Sequence, residues 1–335
     1  MLDTSTLPQL HEGKNLLAFS GGVDSSALFF LLLEQNIDFD IAIVDYQRRP
    51  QSKEEVAYAK ELALKYAKRC HLSEVSLSER SFEAEARKVR YHFFETLIQE
   101  YHYDNLITAH QLDDRLEWLL MQLSKGAGLY ELLGMQPLEV RDTYTLLRPL
   151  LLTPRSELLN YLNHKAIHYY EDESNQDLRH KRNLFRQQVA APLMQYSVTG
   201  VRKSFDYLHD DLKELLDTTP TLHKVKALHY FLRPDSRRHA IIIIDKLLKS
   251  SGHLMRQGDR EALKERDEHL VGRRYVVSFH ERYCFIAPYR EYVMEHAFKE
   301  RCRVLGIPKK LRPYLATEPA AYAIVKELLT RSQDA

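Results

Sequence analysis

Apolar and polar positions divide the chain into two stretches of different rhythm. From Leu16 to about Ser124, short apolar runs alternate with longer segments of helical period. Leu16-Leu17-Ala18-Phe19 predicts a buried strand, and Ala27 to Leu33 the apolar run of a following helix. Asp40-Ile41-Ala42-Ile43-Val44 predicts a second strand, and Ser52 to Arg69 an amphipathic helix. A short strand over Leu72 to Leu77 and a helix from Ser81 to about Tyr101 follow. A strand over Asn105 to Ala109 and a helix over Asp113 to Leu123 complete the series. Strands alternating with helices of this length predict an open parallel α/β sheet with helices on both faces. Ligands of such sheets sit beyond the carboxyl ends of the strands, so Ser20, Asp45-Tyr46 and His110 should share one rim.

The rhythm then changes. Lys125-Gly126-Ala127-Gly128 interrupts it, Leu146 to Leu151 is a short extended piece stopped by Pro149, and Pro154 opens a helix. From Tyr170 the chain is strongly polar. After Pro192 it becomes helical and rich in Leu, Lys and Asp to about Thr219. Beyond Thr221, helices mix with strands predicted at Ile241 to Ile244 and Arg274 to Val277. The expected organisation is a catalytic α/β domain over 1–195, a helical linker over 196–220 and a smaller α+β region over 221–335.

Composition narrows the function. The chain's 335 residues suffice for two or three domains. Lys plus Arg number 48 against 47 Asp plus Glu, so net charge names no partner and local charge must be read instead. Cys70, Cys284 and Cys302 form no C-x-x-C pair, which argues against a disulfide framework or a structural zinc and for a reducing compartment. The polar Met1 to Lys14 stretch carries no signal segment and no apolar run approaches a membrane span, so a cytoplasmic location is expected.

The chemistry gathers at the strand ends. Between the first strand and its helix stands Ser20-Gly21-Gly22-Val23-Asp24-Ser25. Glycines there bring bare backbone N–H groups close to a ligand, and the hydroxyls and the positive end of the helix favour phosphate. It is neither a Walker loop nor Gly-x-Gly-x-x-Gly. A carboxylate beside a polyphosphate usually works through Mg²⁺, which Asp24 would help to hold. After the Asn105 strand, His110 is followed by Asp113 and Asp114 at the start of a helix, with Glu117 one turn beyond Asp113. Helix dipole stabilisation accounts for either aspartate alone, but not for His110 and Glu117 beside them. Arg87 and Arg90 lie one turn apart on the Ser81 helix. Arg182 and Arg186, with Asn183 between them, are four apart on another. Each pair reads equally as a solvated face or as a grip on phosphate.

These segments occur in one order: Ser20 to Ser25, Ala86-Arg87-Lys88-Val89-Arg90-Tyr91, Ala109 to Glu117, Arg148-Pro149-Leu150-Leu151, Glu171-Asp172-Glu173-Ser174-Asn175, and Arg182-Asn183-Leu184-Phe185-Arg186. The first resembles the pyrophosphate loop of the ATP pyrophosphatase superfamily. The series as a whole resembles the tRNA(Ile)-lysidine synthetases, from about Leu16 to Leu193. The resemblance implies adenylation by ATP of the wobble cytidine of an isoleucine tRNA with a CAU anticodon, then attack by free lysine to give lysidine. It further implies ATP binding at Ser20, Gly21, Gly22, Val23, Asp24 and Ser25, and Mg²⁺ at Asp24 and Asp113. Catalytic roles fall to Asp24, Arg90, His110, Asp113, Asp114 and Glu117, and substrate or tRNA binding to Arg87, Arg182, Asn183 and Arg186. The chain departs from the family at Glu117-Trp118, where Glu-Thr is usual, and after the second strand, where Arg48 or Arg49 stands without the family's His.

Lys299 to Arg312 contains six Lys or Arg and one acidic residue, Arg233, Arg237 and Arg238 form a second cluster, and Tyr283, Phe285, Tyr289 and Tyr292 are interleaved. Such patches attract nucleic acid, here tRNA. Two competing readings are a 2-thiolation enzyme of the same superfamily, which usually needs paired cysteines, and a nucleotide- or RNA-binding module without catalysis. The oligomeric state stays open between monomer and homodimer.

Overall fold

The computed structural model describes residues 1–47, 51–76, 82–171, 181–216 and 220–333. Arg48, Arg49 and the Asp172 to Asn175 motif lie outside the described residues. The chain divides into two compact units, Met1–His209 and Asp210–Ala335.

The first unit carries strands β1 (Asn15–Ala18), β2 (Phe39–Asp45), β3 (Cys70–Glu74), β4 (Asn105–Ile107), β5 (Leu138–Val140) and β6 (Thr145–Leu147) in one sheet of order β3-β2-β1-β4-β6-β5. All neighbours are parallel except the edge strand β5, which runs antiparallel to β6. Its helices are α1 (Leu7–Glu12), α2 (Val23–Glu34), α3 (Gln51–Lys65), α4 (Phe82–Tyr101), α5 (Leu112–Leu123), α6 (Leu129–Leu133), α7 (Arg155–His164) and α8 (Lys181–Phe185). A π-helical turn over Arg186–Ala190 then leads into α9 (Ala191–Leu216), whose residues from Asp210 onward belong to the second unit. Leu17, Ile41, Ile43, Ile107 and Leu147 pack with α2, α3 and α7 on one face. Leu16, Ala42, Leu106 and Leu146 pack with Phe94, Leu97 and Ile98 of α4 on the other. The alternation of neighbouring strand residues between two apolar faces is why these runs read as continuous rather than alternating.

From β1 the chain steps outward through β2 to β3 and then returns to place β4 on the other side of β1. That reversal opens a crevice beyond the carboxyl ends of β1 and β4. Everything at the site hangs on it.

In the second unit β7 (His223–Val225), β8 (Leu228–Leu232), β9 (Glu268–Val271), β10 (Tyr275–Phe279) and β11 (Tyr283–Pro288) form an antiparallel sheet of order β7-β8-β11-β10-β9. Helices α10 (Arg237–Ser250) and α11 (Gln257–Glu265) pack on one face. Helices α12 (His296–Val304), α13 (Arg312–Thr317) and α14 (Pro319–Gln333) pack on the other.

Ile241 to Ile244, expected as a strand, lies inside α10. The Ser236 side chain accepts the His239 N–H at 3.3 Å and starts the helix, and Ala240, Ile244, Leu247 and Leu248 continue the apolar stripe at helical spacing. A cap and a stripe outweigh the β-branched preference of four isoleucines. Strand β3 begins two residues before the expected Leu72 and ends at Glu74. Phe285 and Tyr283, expected on a nucleic-acid surface, differ in fate: Phe285 is buried in the core, and Tyr283 packs against it half-exposed.

Gly134, at the end of α6, has φ +47°, and a Cβ there would overlap the indole of Trp118. Trp118 in turn donates its Nε1–H to the Glu131 carbonyl at 2.9 Å. Strain and overlap together predict that Gly134→Ala costs ~2–4 kcal/mol in urea unfolding, whereas Gly126→Ala costs ~1 kcal/mol. Gly126 also has a positive φ, +73°, but its Cβ would meet nothing.

Candidate active site

The crevice is floored by the turn between β1 and α2. Gly21 takes φ +73°, and Gly22, extended, is the N-cap of α2 with no side-chain cap. The first-turn N–H groups of α2 therefore remain available to an acceptor. Ser25 Oγ steadies the turn by donating to the Gly22 carbonyl at 3.2 Å and accepting the Ser20 N–H at 3.2 Å. It also lies 3.1 Å from Ser20 Oγ. Tyr170 lies along the loop, its N–H donating to the Gly21 carbonyl at 2.9 Å and its ring 3.5 Å from where a Gly21 Cβ would stand. Nothing in the sequence pointed to Tyr170 as the strap of this loop.

Asp24 follows on the first turn of α2. Its Oδ1 is buried without a hydrogen-bond partner. Burial first, and the nearby Asp114 carboxylate second, push its carboxyl up to about 7, while Arg155 and Arg186 pull the other way. A partnerless buried carboxylate oxygen beside a phosphate-binding turn fits a divalent cation. No group of three or more His, Cys, Asp or Glu converges on one point among the described residues. A cation at Asp24 would therefore take much of its shell from phosphate oxygens and water, as Mg²⁺ usually does.

Across the crevice, α5 begins with a reciprocal cap: the Asp113 N–H donates to Gln111 Oε1, and the Gln111 N–H donates to Asp114 Oδ2 at 3.2 Å. Consecutive residues on a helix diverge by about 100°, which separates the two aspartates. Asp113 Oδ2 accepts the Arg155 N–H at 3.0 Å and so caps α7, whose own N-cap Pro154 has no side-chain cap. Asp114 turns inward with Glu117, three residues on. Both are buried.

Arg182 of α8 donates to Asp114 at 2.8 Å and to Glu117 at 3.1 Å. Arg186, on the adjoining π turn, donates to both carboxylates, through Nη2 to Asp114 at 3.4 Å and to Glu117 at 3.3 Å. Its Nε also donates to Glu117 Oε1. Burial raises Asp114, but Arg182, His110 and Arg186 outweigh it and the carboxyl is held below the usual range. Glu117 goes the other way, raised by burial against the pull of Arg186. Burial also raises Asp113.

His110 stands between the two sides. Thr108 Oγ1 holds its Nδ1 at 3.0 Å, leaving Nε2 for a ligand. Burial pushes the imidazole down to about 4, with Arg148, Arg182 and Arg87 adding to the effect against Asp114. His110 is accordingly neutral at pH 7. Arg87 is exposed and stacks on the Tyr91 ring at 4.7 Å, while its charge is felt at His110. Arg90, also exposed, is felt at Tyr46, whose hydroxyl ties the end of β2 to α4 by donating to the Ala86 carbonyl at 3.0 Å. Asn183 is buried beside Arg182.

The crevice thus joins the phosphate turn, Asp24, His110 and the Asp114–Glu117 pair with its two arginines. Asp113 sits at its edge as a cap. Arg155 and Arg148 belong to the same electrostatic neighbourhood. Residues 4–193 match the PP-loop domain family. The tRNA(Ile)-lysidine synthase of Helicobacter pylori is 42% identical over 315 residues, covering 93% of this chain and 92% of that protein. That of Wolinella succinogenes is 43% identical over 307 residues, covering 91% and 94%.

The chain belongs to the tRNA(Ile)-lysidine synthase family.

The lysidine synthase likeness extends through both units, since it covers more than nine-tenths of each chain. A U34-tRNA thiolase of Methanococcus maripaludis, solved with its [4Fe-4S] cluster, is 17% identical with a TM-score of 0.52. It covers 64% of this chain and 75% of that one, a likeness of fold alone. The PP-loop match supports ATP use, and among the described residues no helix is long and apolar enough to cross a membrane.

Proposed function

We propose that this chain forms lysidine on the wobble cytidine of an isoleucine tRNA with a CAU anticodon, using ATP and free L-lysine, in the cytoplasm. The observation that carries the reading is a phosphate-binding turn and a buried acid pair facing one crevice, with a neutral histidine between them. The first half suits a polyphosphate, the second an ammonium group.

In the first step the carbon-2 oxygen of the cytosine attacks the α phosphorus of ATP and pyrophosphate leaves. Backbone N–H groups and hydroxyls from Ser20, Gly21, Gly22, Val23 and Ser25 hold the departing phosphates. Asp24, with the second oxygen of Asp113 within the same group of charges, would hold Mg²⁺, which when bound neutralises phosphate charge. Arg90 and His110 orient the nucleotide and the cytosine, and a neutral His110 hydrogen-bonds without adding a charge.

In the second step the lysine side-chain amine attacks carbon 2 and AMP leaves. Asp114 and Glu117 bind the cationic side chain, and Glu117, raised by burial, is a better proton acceptor than a free carboxylate. Exposed Arg87 is assigned to the tRNA backbone, whereas Arg182 and Arg186, held by Asp114 and Glu117, and the buried Asn183 beside them face the substrate side of the crevice. In the second unit Lys299, Arg301, Lys309 and Lys310 are exposed, as are Tyr289 and Tyr292, and these are the groups we assign to tRNA phosphates and bases. Arg237, by contrast, is spent on the Leu263 carbonyl and Asp267.

Labelled lysine should enter a CAU-anticodon isoleucine tRNA transcript only when ATP and Mg²⁺ are present. Pyrophosphate release that depends on tRNA but carries no lysine into the product would sink the choice of nucleophile while sparing adenylation.

A further inference from the structure

The acid pair already holds cations. Asp114 Oδ1 accepts from Arg182 at 2.8 Å and Arg186 at 3.4 Å, and Oδ2 from the Gln111 N–H at 3.2 Å. Glu117 Oε1 accepts from Arg186 Nε, and Oε2 from Arg182 Nε at 3.1 Å and Arg186 Nη2 at 3.3 Å. All four carboxylate oxygens are engaged, and two guanidinium charges balance two carboxylates. A primary ammonium brings three donors and a further positive charge. The four oxygens offer about eight acceptor sites and at least six are taken, so three ammonium donors and their charge are not accommodated until a guanidinium leaves.

The two kinds of partner are not equally fixed. The Asp114 and Glu117 side chains are 11% and 2% exposed, those of Arg182 and Arg186 41% and 33%. The carboxylates belong to the interior, whereas the arginines reach in from the solvent side and can withdraw into water at little solvation cost.

We propose that Arg182 and Arg186 are an internal stand-in for the substrate's ammonium group, so that free lysine competes with this chain's own arginines for the Asp114–Glu117 pair. The proposal rests on the reading of that pair as the lysine-binding group. Its consequence is that apparent lysine affinity falls below the intrinsic affinity by the fraction of molecules in which the arginines have let go. Removing cations that the sequence suggests as substrate-binding groups should therefore strengthen lysine binding.

Equilibrium dialysis of labelled L-lysine against the full chain, without ATP or tRNA, tests this apart from catalysis. The proteins are the parent, Arg186→Lys, the double variant Arg182→Gln/Arg186→Gln, and Glu117→Gln, each checked for folding by circular dichroism. The double variant should bind lysine about tenfold tighter than the parent. Arg186→Lys, which keeps the charge but loses the fork that spans both carboxylates, should bind a few-fold tighter, and decides alone if the double variant does not fold. Binding no tighter than the parent's, including none measurable, overturns the proposal. If Glu117→Gln loses lysine while the arginine variants gain nothing, the stand-in fails and the lysine site stands. If Glu117→Gln binds lysine as the parent does, the site assignment itself fails.

Discussion

Asp24→Asn should lower lysine incorporation by about a thousandfold or more and, in the ligand-free protein, raise the unfolding temperature near pH 8. The two effects have one cause. The Asp24 carboxyl is pushed up to about 7, first by burial and then by Asp114, and its Oδ1 has no hydrogen-bond partner. A carboxyl whose pKa is higher folded than unfolded binds its proton more tightly in the native state. Ionising it weakens the fold progressively as pH rises from about 4 to about 7, with the full penalty above. Complete conversion of such a displacement would be ~4 kcal/mol, and the residue's partial solvent contact reduces that to ~1–2 kcal/mol. Asn keeps the shape without the charge, so the variant should melt about 2–4 °C above the parent near pH 8 and match it near pH 4. Phosphates and a cation on the loop would repay the parent's penalty, which is why the same substitution removes activity. Melting curves with chelator at the two pH values decide it: a gain that does not depend on pH would mean that Asp24 carries no buried charge in the free protein.

What could be read in the sequence was what lies close together along it. The phosphate turn is six consecutive residues at the passage from a strand to a helix, of which Ser20, Gly21 and Gly22 lie before α2 and Val23, Asp24 and Ser25 open it. The α/β alternation was legible because each strand run is apolar throughout, as buried parallel strands are. The division of labour between Asp113 and Asp114 was not legible: positions four and three before Glu117 both face it on a helix, the sequence placed Glu117 one turn beyond Asp113, and the structure joins it to Asp114 instead. Where Asp113 would point depends on Arg155, which reaches the site by a different route. The pairing of Arg182 and Arg186 with the acid pair spans more than 60 positions, and charge pattern alone could not separate a grip on phosphate from a grip on carboxylate. Ile241 to Ile244 misled for a related reason. A short apolar run is the same text in a buried strand and in a buried helix, and only the Ser236 cap and the spacing beyond the run distinguish them.

Glu117→Ala should separate the two chemical steps and weaken the fold. The carboxylate receives three hydrogen bonds from Arg182 and Arg186, and its side chain is 2% exposed. Breaking a buried ion pair by removing one partner typically costs ~3–5 kcal/mol, because the remaining charge is left uncompensated. Here the remaining charges are guanidiniums that are one-third or more exposed and retain Asp114, so the expected loss is ~2–3 kcal/mol in urea unfolding. The chemistry should divide sharply. Adenylation uses the phosphate turn, Asp24 and His110, none of which touches Glu117, so tRNA-dependent pyrophosphate release without lysine should stay within a few-fold of the parent. Lysine transfer needs the ammonium bound and its amine deprotonated, and should fall by about a hundredfold. The opposite sensitivity is expected of Asp24→Asn, in which pyrophosphate release is lost first. If Glu117→Ala lowered both steps equally, the acid pair would be a brace for α8 and the π turn rather than the seat of the amino acid. If it lowered only pyrophosphate release, the two ends of the crevice would have to be exchanged.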